Sequence, residues 1–141
     1  MKTRLWRLFP LLLLALVGGV VWYHQTGQAP KANQTLACPD IQKGCSTTLG
    51  GKPVKVSMQG ELKPLKAFLV RVEAPGAASV EARFTMEGMD MGFNLYTLRA
   101  EKSGMYQASV TLPVCVTGRR DWAMHLNVDG LQLAVPFVTD L

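Results

Sequence analysis

The chain has 141 residues and a net charge of +5 at pH 7, with 15 lysines and arginines against 10 acidic residues. Four of these cations precede Cys38, in a stretch without acidic residues, and the remainder carries eleven cations and ten acids. Because phosphate binding needs many clustered cations, this distribution predicts that the chain does not bind nucleic acid.

Residues 1–24 are predicted to form a single N-terminal transmembrane helix. Three cations lie within the first seven residues, and residues 8–23 contain no charge. This run is slightly shorter than the ~17–25 residues of a spanning helix, and adding Leu5 and Trp6 closes the gap. Cations ahead of the run predict a cytoplasmic N-terminus, with the rest of the chain across the membrane. A cleaved signal peptide, or a lipoprotein processed at Cys38, remains an alternative.

Residues 25–51 are polar and rich in glycine, proline, threonine and serine, which is typical of a linker. Within this segment Cys38 and Cys45 are seven residues apart, and they are predicted to form a disulfide in an oxidising compartment. A metal-binding pair is the alternative for these two cysteines. If they are bridged, Cys115 is the unpaired thiol.

Residues 52–141 show a period of two, which predicts β-strands. Turn residues separate the runs, and Asp129-Gly130 between two alternating runs predicts a two-residue hairpin. Pro136 cannot donate to a strand ladder, so the last strand is predicted at a sheet edge. About seven short strands are typical of an antiparallel β-sandwich of immunoglobulin-like type. The runs are 54–58, 65–73, 80–86, 93–99, 106–112, 122–128 and 131–137.

The segment 86–92 holds three methionines, Met86, Met89 and Met91, between strand and loop. Thioethers are soft, uncharged donors that favour Cu(I) over hard cations. If each strand reverses the direction of the one before, the loops 87–92 and 113–120 lie at the same end of the sandwich. Met89, Met91 and Cys115 would then share that end and could bind Cu(I), with Met86 as a fourth donor or as a core residue.

Other interpretations of these residues remain open. Methionine and cysteine are common as small or adaptable core residues, and this applies to Cys115 and to the loop methionines. A blue-copper site needs two histidines, and only His125 is a usable candidate, because His24 lies at the membrane edge. His125 is predicted as a surface strand residue. The chain contains none of the common catalytic motifs, so it is predicted not to be an enzyme.

The segment 84–128 resembles the YtkA-like/FixH-like family of membrane-anchored periplasmic accessory proteins. The matching elements are Phe84-x-Met86-x2-Gly88-Met89-x-Met91, Gly104-x-Tyr106-x-Ala108-x-Val110-x-Leu112-Pro113 and Gly118-Arg119-x2-Trp122-x-Met124. The resemblance covers this segment well and the whole of 52–141 loosely. It implies a single-pass protein of the bacterial inner membrane whose C-terminal domain is periplasmic. It also implies a role in copper handling or in the assembly of a respiratory oxidase.

Two functional hypotheses follow from the sequence. In the first, the chain is a membrane-anchored accessory protein that binds Cu(I) and passes it to a copper-transport or respiratory oxidase subunit. In the second, it is a metal-free interaction or assembly domain whose methionine-rich tip and exposed edge strand contact a membrane partner. A redox role for Cys115 is a third possibility, and it requires a readily ionised thiol.

Overall fold

The computed structural model describes residues 18–19, 34–86, 89 and 94–140. The chain forms two compact units, Met1–Pro30 and Lys31–Leu141. In the first unit the described residues are Gly18 and Gly19, which are helical. Within the described residues no helix has the length and apolar character needed to cross a bilayer. The predicted anchor at 1–24 otherwise lies outside the described residues.

The second unit is all-β, as the sequence predicts, and its ten described strands form two sheets of five. The order is β1-β10-β9-β5-β6 in the first sheet and β2-β3-β4-β8-β7 in the second. Every neighbouring pair is antiparallel except β1 and β10, which are parallel. The strands are β1 (Gln34–Thr35), β2 (Cys45–Leu49), β3 (Lys52–Gln59), β4 (Ala67–Glu73), β5 (Val80–Thr85), β6 (Leu95–Thr97), β7 (Arg99–Lys102), β8 (Met105–Thr111), β9 (Asp121–Val128) and β10 (Leu131–Val138).

The core lies between the two sheets and is built mainly from alternate residues of the longer strands β3, β4, β5, β8, β9 and β10, so a β-sandwich is confirmed. Phe84 is at its centre, 6.3 Å from Phe68, 5.9 Å from Tyr96 and 6.1 Å from Phe137 between ring centroids. All three pairs are edge-to-face, the arrangement that the ring quadrupoles favour. Because Phe68 belongs to the second sheet and Phe84 to the first, these rings join the two layers.

The predicted strand at 93–99 is divided between the two sheets. Its described part forms β6 in the first sheet and β7 in the second, with Leu98 between them. Leu98 is buried, and its N–H donates to Val80 O at 2.9 Å. The side chain of Leu98 therefore stays in the core where the chain crosses from the first sheet to the second. The chain does not reverse its direction at this crossing.

Two strands lie inside the segment 25–51 that the sequence indicates as a linker. β1 pairs with β10 at two positions, and β2 pairs with β3 along its length. From Gln34 onward this segment therefore belongs to the sandwich. β1 and β2 give no alternating apolar pattern in the sequence. Each is the outermost strand of its sheet and pairs mainly through its backbone, so its side chains can be polar.

The predicted disulfide between Cys38 and Cys45 is confirmed, with 5.8 Å between the Cα atoms. Asp40 shapes the intervening loop, because its Oδ1 accepts hydrogen bonds from the N–H groups of Gln42 and Lys43. Ile41 O accepts the N–H of Met58 at 3.0 Å, which fixes the loop to β3. The disulfide thus connects the end of β1 in the first sheet to the start of β2 in the second.

The prediction of a hairpin before β10 and the prediction that β10 lies at a sheet edge have different outcomes. Asp129-Gly130 is confirmed as a two-residue hairpin, since Leu131 pairs with Val128 and both turn residues have positive φ. The strand itself is not outermost, because β1 lies beside it. However, β1 pairs only with Leu133 and Ala134, so no strand among the described residues covers the edge where Pro136 lies.

Replacing Phe84 with alanine is expected to lower the free energy of unfolding by about 3–5 kcal/mol, because the site cannot collapse around three fixed rings. Urea unfolding followed by tryptophan fluorescence measures this loss. Val138→Ala is the control, since Val138 is exposed, and it should change stability by less than ~0.5 kcal/mol. Equal losses for the two variants would contradict the central role of Phe84.

Replacing both Cys38 and Cys45 with serine is expected to lower the free energy of unfolding by about 2–3 kcal/mol, because a short closed loop is opened in the unfolded chain. The measurement is urea unfolding with and without reductant. Reductant should destabilise the original chain by a similar amount and leave the double variant unchanged. If reductant destabilised the original chain and the double variant equally, the loss of stability would not be due to this disulfide.

Candidate sulfur site beside Cys115

One end of the sandwich gathers the loops that the sequence indicates as functional. β5 ends where β9 begins, because the two strands are antiparallel neighbours. β8 ends at the same end, because Cys115, which follows β8, contacts Met89, which follows β5. Met89 and the residues 112–120 lie at this end, which is called the Cys115 end below.

The described atoms at this end include a direct contact between two sulfurs. The Cys115 thiol donates to the Met89 Sδ, with 3.4 Å between the sulfur atoms. Met89 is held in place by its backbone, because its N–H donates to Met86 O at 3.2 Å in an isolated antiparallel bridge. The chain therefore turns back directly after β5 and brings the Met89 side chain over the end of the sandwich.

Thr117 positions the thiol from the other side. Its Oγ1 lies 3.0 Å from Cys115 Sγ, and Gly118 N–H donates to Cys115 O at 3.0 Å to close a turn. When the Cys115 thiol donates to Met89, the Thr117 hydroxyl is the donor to the Cys115 sulfur. Gly118 has a φ of 70°, which glycine adopts at little cost.

The same contacts favour the thiolate form of Cys115. Hydrogen bonds from the Thr117 side chain and backbone, followed by the backbone N–H and positive charge of Arg119, lower the pKa of the Cys115 thiol below its ordinary value. Burial acts in the opposite direction but is outweighed. Cys115 is 7% exposed, so the sulfur lies just under the surface.

The predicted metal ligands have different positions. Met89 and Cys115 are brought together, and Met86 is buried in the core next to them, in the inward register of β5. Met91 lies outside the described residues. Cys38 and Cys45 are bridged to each other, which excludes the metal-pair interpretation for these two residues.

The described contact of the His125 side chain is with Thr85 at the end of β5. The His125 Nε2 lies 2.9 Å from Thr85 Oγ1, and the His125 Nδ1 is buried without a hydrogen-bond partner among the described atoms. Burial, followed by the charge of Arg83, lowers the pKa of His125 below its ordinary value. Within the described part of the chain no three His, Cys, Asp or Glu residues form a metal-binding group.

Sequence reasoning missed the apolar surface around the sulfurs. Val114 and Val116 flank Cys115 and are exposed, Val116 at 97%, and Leu65 is 71% exposed. The N–H of Leu65 donates to Leu112 O at 2.9 Å, which places Leu65 at the same end. The alternation Val-Cys-Val after Pro113 was an available signal, because it points cysteine inward and both valines outward.

Comparison of the chain with protein-family models, with curated proteins and with solved structures finds no match. The resemblance to the YtkA-like/FixH-like family therefore stays an expectation from the sequence.

Replacing Thr117 with valine is expected to raise the pKa of the Cys115 thiol, because the hydroxyl donor to the thiolate is lost. Cys115 is the single free thiol of the chain, so the ultraviolet absorbance of thiolate against pH reports its titration directly. The lowered folded-state pKa stabilises the fold at a pH above the unfolded-state pKa, and this contribution disappears as the pH falls through the folded-state pKa. Thr117→Val should therefore lose stability, relative to the original chain, mainly at alkaline pH.

The control for this titration is Thr97→Val, which removes an exposed hydroxyl in β6. The control should leave the thiol titration unchanged. An identical Cys115 titration in Thr117→Val and the original chain would show that Thr117 does not stabilise the thiolate.

Proposed function

We propose that the chain binds Cu(I) through the sulfurs of Met89 and Cys115 and acts in copper storage or transfer. The observation that carries this proposal is the 3.4 Å contact between the two sulfur atoms. Residues 26 positions apart in sequence supply two soft donors at one point, and soft thiolate and thioether ligands select Cu(I).

The spacing of the sulfurs is close to what a shared ion requires. Two sulfurs that are each ~2.3 Å from one ion are about 3.8–4.0 Å apart at tetrahedral or trigonal angles, by analogy with zinc thiolates. Met89 and Cys115 would therefore have to separate by roughly half an ångström. Methionine has three rotatable side-chain bonds, so a movement of this size needs only a small change in its torsions.

The protonation chemistry also supports the proposal. In the thiol form the hydrogen of Cys115 lies between the two sulfurs, and a metal ion would take its place. Because the thiolate is the binding form, contacts that lower the pKa of Cys115 reduce the cost of losing that proton. Met91 and Met86 are the candidates for a third and fourth donor.

The wider setting of this proposal comes from the sequence. We infer a single-pass protein of the bacterial inner membrane with a periplasmic sandwich of immunoglobulin-like type. Its partner would be a respiratory oxidase or a copper-transport subunit. The thinly covered sulfurs and the exposed Val114 and Val116 favour an ion that is passed on over one that is permanently enclosed.

A metal-free interaction domain is the second candidate function. The observation that favours it is the exposure of Leu65, Val114 and Val116 at one end, because clustered exposed apolar residues mark contact sites. In this function the Met89–Cys115 contact would be packing alone. Recovery of the same membrane partner from copper-depleted and copper-replete cells would support it.

Anaerobic titration of the chain with Cu(I) against a competing chelator is the test of copper binding. The whole chain is needed, because one beginning at Lys52 would lack β1, β2 and the disulfide. Replacing Cys115 with serine is expected to weaken Cu(I) binding by ~100-fold or more, and replacing Met89 with leucine by ~10-fold or more. Below the pKa of Cys115, affinity should rise about tenfold per pH unit, because binding releases one proton.

The matched control is Met105→Leu, which removes a methionine at the start of β8, away from the Cys115 end. Its affinity should equal that of the original chain. Undiminished affinity in the combined Met89 and Cys115 variant would refute the proposed site, whereas a loss in Met105→Leu as well would indicate general surface binding.

A further inference from the structure

The groove beside the second half of β10 has no function in the proposal above. It has a volume of about 540 Å³ and lies between the disulfide loop and the end of β10. Ile41 and Leu62 line it on the loop side, and Pro136, Phe137 and Val138 line it on the strand side. The groove therefore lies alongside the second half of β10, in the first sheet.

The strand edge in this groove has free backbone groups. Leu36 N–H donates to Ala134 O at 2.8 Å, so the backbone groups of Ala134 are directed away from β9. Alternation along the strand directs those of Pro136 and Val138 to the same side. Within the described residues no strand pairs with β10 beyond Ala134 on that side. Two carbonyls and the Val138 N–H are therefore available to an incoming strand.

The disulfide loop keeps this edge open. β1 runs parallel to β10 for two residues and would cover the edge if it continued. Instead, Cys38 is bonded to Cys45 at the start of β2, which takes the chain across to the second sheet. Within the described residues the edge is thus left unpaired at Pro136 and Val138, between the contact of Leu36 with Ala134 and the contact of Leu62 with Asp140.

The charges that line the groove are negative. Asp40, Asp121 and Asp140 are part of its lining. Asp40 forms an ion pair with Lys43 at 2.8 Å, and Asp121 forms one with Arg119. In the part of the chain that the structure describes, Asp140 has no ion pair, although its N–H donates to Leu62 O. A cationic side chain in the groove would meet at least one carboxylate that is not already neutralised.

The buried residues of the lining, which are called the floor of the groove, are apolar. They include one hydrogen-bond donor that has no acceptor among the described atoms. Ile41, Leu62 and Phe137 are buried and line it. Trp122, which is 2% exposed, also lines it, and its Nε1–H has no acceptor among the described atoms. An extended ligand whose residues alternate in character would place apolar side chains on this floor and polar ones towards solvent.

We propose that this groove binds an extended peptide of alternating apolar and cationic residues, which adds as a strand to the edge of β10. Main-chain hydrogen bonds to Pro136 O and to the N–H and O of Val138 hold the peptide, and the aspartates select cationic side chains. None of the groove residues is a proposed copper ligand, so the peptide can be tested without copper.

The probe is a blocked heptapeptide of alternating lysine and valine, titrated into the isotope-labelled chain by NMR. Saturable shifts should concentrate at Val138, Ile41 and Leu62. The same peptide with N-methyl groups on alternate amides should bind at least about fivefold more weakly, because ladder hydrogen bonds are lost. A peptide with glutamate in place of lysine should bind more weakly than the lysine peptide.

Two variants of the chain test the site from the protein side. Val138→Pro removes the only free N–H of this edge and is expected to weaken binding by about fivefold. Asp140→Lys reverses the charge without changing the backbone, so it keeps the test valid if the proline variant does not fold. The control is Glu101→Lys, the same reversal on β7 in the other sheet, which should leave the affinity unchanged.

Three results would overturn the proposal. Equal binding of the N-methylated and the unmodified peptide would exclude strand addition. Shifts away from β10 and the disulfide loop would place the peptide elsewhere. Dimerisation of the chain through this edge, detected by sedimentation without peptide, would assign the groove to a second copy of the chain.

Discussion

The packing of Phe84 against rings from both sheets is the constraint on which the rest of the structure depends. Its neighbours include Phe68 from the second sheet and Phe137 from β10, so one side chain fixes the distance between the layers and the direction of three strands. β5 ends one residue after Phe84, at Thr85, and Met86 is the last buried residue in its inward register. The turn that follows brings Met89 back towards the end of β5. The position of the sulfur pair is therefore a consequence of how the core is filled.

Much of the sandwich could be predicted because its central strands bury alternate residues. β9 is the clearest case, since Trp122 and Met124 are buried and their neighbours are not, and this pattern is visible in the sequence. β1 and β2 could not be predicted in the same way. Outer strands have one neighbour and satisfy their backbone by pairing with it, so their side chains can remain polar and resemble a linker. The division of 93–99 between two sheets also leaves no periodic signal, because Leu98 keeps the inward register across the crossing.

The candidate site was partly accessible to the same reasoning. Strand reversal alone predicts the loops 87–92 and 113–120 at one end, since it depends only on counting strands. It could not give the 3.4 Å contact between Met89 and Cys115, which depends on the bridge from Met89 N–H to Met86 O. It also could not identify Thr117, because a threonine in a loop has no distinctive pattern. Its importance arises only from the turn closed by Gly118, which brings the hydroxyl to the sulfur.

The Cys38–Cys45 bridge has a mechanical consequence. A pulling force applied on the N-terminal side of Gln34 would reach β1 first and would shear it along β10, because the two strands are parallel. At Cys38 the covalent bond transfers the load directly to Cys45 and into β2, so the residues from Pro39 to Gly44 bear no tension. The sandwich would then resist extension with both sheets together, and the intervening loop would keep its shape while the chain is under strain.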